Sequence, residues 1–268
     1  MTVLVGVLCT DGVVLGSDSS ATFAAGPNLD TIEQPVQKTF LVAPDVIFAT
    51  TGAGGLGQRL EYILQALRGH ANDWHDQHHL HHSILISRNM IENMRRTFLP
   101  PGGSGALLAF ACENGCHLCE FAVADCQQEM KTADTWFVSM GSGQMITDPF
   151  FGLLRRTLLR DAQPTLAEGV LAAYWALHNA IALNTGEING PIQLAVLRRP
   201  APETPFEARL LGEDELTEHA VAIERIEGYL AAYRQQLAPQ AEALPEPPPP
   251  GAGSAAPLEP GGQSQQAP

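Results

Sequence analysis

Positive charge is scarce in this chain. Lys and Arg total 15 against 29 Asp and Glu over 268 residues, a net charge of −14, and only Lys38 and Lys131 are lysines. Phosphate is repelled by that balance unless a local basic patch forms, so nucleic acid is not an expected partner. The acidity suits solubility, or a surface that attracts basic peptides. Long apolar runs are missing too: none reaches the roughly 18 residues that suggest a membrane span, so no membrane role is expected. No cationic leader or small-residue cleavage site marks the start, which points to a cytoplasmic protein with reduced thiols. No Gly-x-x-x-x-Gly-Lys-Ser/Thr pattern occurs, so ATP-driven work would fall to a separate protein. What is present is 45% hydrophobic residues against 16% charged, the composition of a globular interior.

Cysteine is sparse and unevenly placed. Four of the five fall at Cys112, Cys116, Cys119 and Cys126, and only Cys116 and Cys119 have the gap of zinc ligands. Around them, two alternating runs flank Glu113-Asn114-Gly115, which predicts a hairpin holding small buried thiols rather than a metal. Histidines crowd at His70, His75, His78, His79, His81 and His82. His75, His79 and His82 could share a helical face, a spacing that permits a transition-metal site and equally suits a solvated helix start. No metal and no cofactor is expected.

The opening carries the chemistry. Met1-Thr2-Val3-Leu4-Val5-Gly6-Val7-Leu8-Cys9, then Thr10-Asp11-Gly12, then Val13-Val14-Leu15-Gly16-Ser17-Asp18 predicts a β-hairpin turned by Asp-Gly. Removal of Met1 would leave Thr2 with a hydroxyl and a free α-amine on neighbouring atoms. The amine, with a pKa of roughly 7.7–8.0, can take the proton that keeps a hydroxyl from acting as a nucleophile. Further strands are expected at Lys38–Val42, Val46–Thr51, Trp136–Met140, Pro191–Leu197 and Ala208–Leu211. Helices are expected from about Leu56 to Arg68, from the histidines to Leu99, after Gly143, from Thr165 to Leu183 and from Glu213 to Leu237. The pattern predicts an α+β fold in which two sheets pack face to face under helices, a four-layer αββα sandwich. That domain covers 2–237; the Pro/Gly/Ala-rich segment 238–268 is expected to be a disordered tail.

Four motifs in order resemble a known family. Thr2-Val3-Leu4-Val5-Gly6 with Asp11-Gly12 through Thr22, then Val36-Gln37-Lys38-Thr39-Phe40, then Thr51-Gly52-Ala53-Gly54-Gly55, then Gly141-Ser142-Gly143 resemble mature proteasome β subunits and their bacterial relative HslV. The resemblance implies an N-terminal nucleophile (Ntn) hydrolase, a threonine endopeptidase working on peptides or unfolded proteins. It implies Thr2 as nucleophile, Lys38 as the cation beside it, Asp18 as the partner of Lys38, and Ser142 as hydrogen-bond partner of the Thr2 amine. It implies the Gly54 N–H as oxyanion donor, with Ala21, Thr22, Gly52 and Val36 along the substrate groove. Val36, Phe40 and Gly52 suggest a partly apolar specificity pocket. Each residue also has a plainer reading: Asp18 and Lys38 as a structural ion pair, Ser142 as a helix N-cap, Gly54 as a turn residue.

Departures narrow the likeness. The β-subunit acid late in the chain has no clear counterpart in Leu183-Asn184-Thr185-Gly186-Glu187-Ile188-Asn189-Gly190. HslV lacks it too, and the longer segment before Lys38 and the extra helix and tail look most like the betaproteobacterial proteasome homologue group. That group implies a homo-oligomer, a tetradecamer of two heptameric rings with sites facing a chamber; with no ATP-binding motif in the chain, folded substrates would need a separate unfoldase, which the sequence does not identify. Two alternatives stand beside it: a catalytically silent ring subunit, and an Ntn amidase acting on small molecules.

Overall fold

Val3, Val5 and Val7 face one way and Leu4 the other, and the same alternation sorts the core of the molecule into layers. The computed structural model describes residues 2–23, 32–70, 74–99, 102–113, 115–183 and 188–237. The expected tail at 238–268, Asn114 of the cysteine hairpin and residues 184–187 lie outside them. Met1–Arg225 is one compact unit and Ile226–Pro268 a second.

The elements run β1 (Val3–Cys9), β2 (Gly12–Ser17), β3 (Ser20–Phe23), β4 (Ile32–Pro35), β5 (Thr39–Ala43) and β6 (Val46–Gly52). Then come α1 (Gly54–His70), a 3-10 turn (Trp74–Asp76), α2 (His79–Arg96), β7 (Ser104–Cys112), β8 (Gly115–Phe121), β9 (Gln128–Met130) and β10 (Phe137–Gly141). The chain continues through α3 (Gln144–Thr157), α4 (Leu166–Leu183), β11 (Gln193–Arg198), β12 (Glu207–Leu210) and α5 (Glu213–Leu237). One antiparallel sheet has the order β10-β1-β2-β11-β12 and the other β5-β6-β7-β8-β9. Leu4, Leu15, Ile47, Leu107, Leu118 and Ala195 interdigitate between the sheets, all at 0–1% exposure, so that layer is dry. Outside it, Val5, Val7 and Val14 pack under α3 and α4. On the other side Val46, Phe48, Leu108 and Phe110 pack under α1 and α2. The layers are therefore helix, sheet, sheet, helix, the αββα sandwich expected.

One helix meets the length and apolarity of a membrane span. α4 has mean hydropathy 1.2 over 18 residues. Ala172, Ala173, Ala176, Leu177 and Ala180 are fully buried against β1 and β2, so its apolarity belongs to a core helix.

Sequence pattern leaves three short elements unannounced. The β3–β4 ribbon, β9 and the 3-10 turn are three or four residues long, too short for periodicity to register. The ribbon matters most, because its return brings Val36 back so that its N–H donates to the Ser19 carbonyl at 2.7 Å, just ahead of Lys38.

Candidate active site

Register sets the first side chain. Val3 pairs with Gly141, at the end of β10, so Thr2 lies beside Ser142. Gly141 has φ +88°, and a Cβ there would overlap the Thr2 carbonyl oxygen, so the approach needs glycine. The Thr2 N–H donates to Ser142 Oγ at 3.1 Å, and the Gly143 N–H donates to the Thr2 carbonyl at 3.3 Å. The N-cap of α3 is Gly143, and Ser142 spends its hydroxyl on Thr2 rather than on the helix. The plainer reading of Ser142 as a helix cap is therefore set aside.

Asp18 follows β2 and lies behind Thr2. Its carboxylate accepts the Val3 N–H at 2.9 Å and the Ser20 N–H at 3.1 Å, and none of it reaches solvent. Lys38 enters from the segment before β5. Its Nζ lies 2.8 Å from both Asp18 oxygens and donates to Thr2 Oγ1 at 3.1 Å. Burial pushes the Asp18 carboxyl above its ordinary pKa, against the pull of Lys38 and then of the two backbone donors. Burying such a pair is costly unless every lone pair is used, and here both oxygens carry a charge-assisted bond. The pair and Thr2 form one chain of hydrogen bonds, Asp18 to Lys38 to Thr2.

The chain opens on a groove of about 750 Å³. Thr2, Lys38 and Ser142 line it together with Ala21, Val36, Gly52 and Gly54. Thr22 follows Ala21 in β3. Gly54 is the first residue of α1, where N–H groups have no intrahelical acceptor and the helix dipole favours negative charge. Phe40 gives the groove an apolar side, while Thr50, Gln58 and Glu61 make it more polar than Val36, Phe40 and Gly52 alone suggest.

A model of the proteasome subunit family matches residues 2–189. The chain belongs to the proteasome subunit family. No curated protein matches it. Proteasome subunits assemble into multi-subunit rings, and family members are generally threonine peptidases.

In this proteasome subunit, one contributor to the site has no signal in the sequence. Gln193, at the start of β11, accepts the N–H of Lys38 at 2.9 Å and of Thr39 at 3.2 Å on Oε1, while its Nε2 donates to the Val36 carbonyl at 2.8 Å. A lone glutamine ahead of Leu194-Ala195-Val196-Leu197 reads as an ordinary strand start. Its partners are backbone atoms more than 150 residues away, which no residue pattern encodes.

The proteasome subunit's cysteines and histidines part from simple spacing. Cys116 and Cys119 are three apart on β8, so they point to opposite faces and cannot share an ion. Burial pushes the Cys112 and Cys116 thiols up to about 12, and those of Cys9, Cys119 and Cys126 up as well. The helical face that His75, His79 and His82 could share does not form. His75 lies in the 3-10 turn ahead of α2, and His82 is buried with its ring stacked on Trp74 at 3.9 Å.

Proposed function

We propose that this chain is a proteasome-like threonine endopeptidase whose nucleophile is Thr2, exposed by removal of Met1. The observation that carries the reading is the placement of the Lys38 ammonium 3.1 Å from Thr2 Oγ1 and 2.8 Å from both oxygens of Asp18. A structural ion pair needs no hydroxyl at its open end facing a groove. Lys38, held cationic by Asp18, lowers the pKa of the Thr2 hydroxyl. The freed amine, oriented by Ser142, takes the hydroxyl proton as Oγ1 bonds to the substrate carbonyl carbon. The oxyanion that forms is met by the Gly54 N–H. The amine then passes its proton to the leaving nitrogen as the C–N bond breaks. Water attacks the resulting ester, releases the carboxylic acid and restores Thr2.

An extended substrate runs beside Ala21, Thr22 and Gly52, pairing by backbone as an added strand. Val36 and Phe40 supply its apolar contacts. The HslV side of the family, and within it the betaproteobacterial group, suits a chain in which no residue of 183–190 falls cleanly on the late acid of the β subunits. The reading extends to a cytoplasmic homo-tetradecamer of two heptameric rings, fed with unfolded chains by a separate unfoldase.

Intact mass spectrometry with a peptide epoxyketone tests the proposal, because that reagent needs both the hydroxyl and the free amine. Loss of Met1 and one adduct per chain is expected. A Thr2 terminus that takes no adduct overturns it and favours a silent ring subunit.

A further inference from the structure

The histidine-rich segment meets the β7–β8 turn, and that meeting makes a site of its own. Glu113 lies in the turn, and its N–H donates to the His75 carbonyl at 2.9 Å, which ties the turn to the segment ahead of α2. Its Oε2 accepts the His79 backbone N–H at 2.9 Å and lies 2.8 Å from His79 Nδ1. The His78 ring stacks on His79 at 4.1 Å, and the His79 ring on His117 of β8 at 4.5 Å. One ligand atom each from His78, His79 and Glu113 falls within a 4.8 Å span, and Cys112, Glu113 and His117 form a second such group, in which Cys112 is buried. His78 and Glu113 are exposed, so the cluster is open to ions in solution.

We propose that His78, His79 and Glu113 bind one Zn2+-like transition-metal ion that staples the start of α2 to the β7–β8 turn. The donor set is two imidazoles and a carboxylate, which suits zinc and its borderline neighbours better than calcium or magnesium. Three protein ligands leave a fourth tetrahedral position for water or His117. The ion displaces the hydrogen bond between His79 Nδ1 and Glu113 Oε2, and the His78 ring, stacked on His79, turns to bring a nitrogen to it. The two strongest ligands already touch, and the turn that carries Glu113 is already fixed to His75. Such preorganisation is what separates a site from a scatter of surface histidines. Helix capping explains the bond from the His79 N–H to Glu113 and the seat of His78, whose Nδ1 accepts the Leu80 N–H at 3.3 Å, but not the 2.8 Å approach of the His79 ring to the Glu113 carboxylate. The site stands apart from the groove. Glu113 follows the Cys112 end of β7, while Ser104 at the other end pairs with Gly52 of the groove. Its role is structural, and it does not depend on the peptidase reading.

Metal-stripped, untagged full-length protein, titrated with Zn2+ by calorimetry and with Co2+ by visible absorption, tests the site. One ion per chain at micromolar free metal is expected, with a Co2+ spectrum of low coordination number and a rise in Tm at saturation. His79→Ala and Glu113→Gln should each weaken binding by about ten-fold or more, since losing a ligand costs no less than losing the partner that orients one. Glu113→Gln keeps an acceptor for the His79 N–H, so it separates lost metal from a lost cap. His81→Ala, outside the cluster, should bind as the parent does. Absence of binding at micromolar metal overturns the proposal, and so does binding that survives both ligand variants or falls with His81→Ala.

Discussion

Gln193 holds Lys38 by its backbone: the glutamine Oε1 accepts the Lys38 N–H at 2.9 Å, while the lysine side chain reaches Asp18 and Thr2. One residue on β11 therefore sets where the Lys38 side chain begins, in the segment just ahead of β5. Gln193→Ala leaves two backbone N–H groups and a carbonyl without that partner, a loss of about 1–3 kcal/mol in stability. The displaced ammonium should lower kcat on the order of ten- to a hundred-fold with KM little changed. Gln193→Glu, which keeps the acceptor and loses the donor to Val36, should recover part of kcat. Steady-state kinetics and chemical denaturation check both effects.

Removing the nucleophile separates chemistry from assembly. Thr2→Ala should abolish peptide hydrolysis and epoxyketone capture while rings form as before, since the Thr2 side chain belongs to none of the buried layers. Kinetics and sedimentation of the same preparation check it. Loss of rings in that variant would make Thr2 structural.

Lys38→Ala should be inactive and unstable as well. It strands a fully buried carboxylate, a loss with an upper range of about 3–5 kcal/mol. Burial raises the Asp18 pKa, which eases uptake of a proton once Lys38 is gone, so the measured loss in denaturation should fall toward the lower end.

Asp18 sets the acid limb of activity. Its folded pKa lies above 3.8, so protonation and loss of the charge pair with Lys38 occur at a pH above the ordinary aspartate range. kcat/KM should therefore decline on the acid side above that range, and Asp18→Asn should remove the limb along with most of the rate. The sign for stability is the reverse. Between 3.8 and its folded pKa the folded chain holds the extra proton, so this group lowers stability as pH rises through that window. pH–rate profiles and urea titrations across the acid range test the two signs separately.

The thiols should be inert in the folded protein. With Cys112 and Cys116 pushed to about 12, only about one part in ten thousand is thiolate at pH 8, and thiolate is the reactive form. Alkylation at that pH should leave the native chain unmodified and label all five cysteines after denaturation, as read by intact mass. Rapid labelling of native Cys116, the one cysteine that is not fully buried, would contradict this.

Much of the architecture was legible because it depends on neighbours in sequence. Asp11-Gly12 turns the first hairpin, Leu60, Ile63 and Leu64 mark one face of α1, and Gly141-Ser142-Gly143 stands between a strand and a helix. Thr2, Asp18, Lys38 and Ser142 were legible for another reason: their types and order match a family motif. Glu61 in the groove was not, because a partly buried acid on a helix looks like any solvated one.

By itself the sequence determined the alternation of strands and helices, the faces they bury and the residue types able to carry the chemistry, since propensity, periodicity and turn preference act over a few residues. Only the tertiary structure decided that Gln193 clamps the Lys38 segment, that Cys116 and Cys119 look away from each other, and that Glu113 meets His79 rather than His75 joining His82. Those outcomes depend on strand register and on backbone hydrogen bonds between distant segments, and the packing of two sheets fixes both.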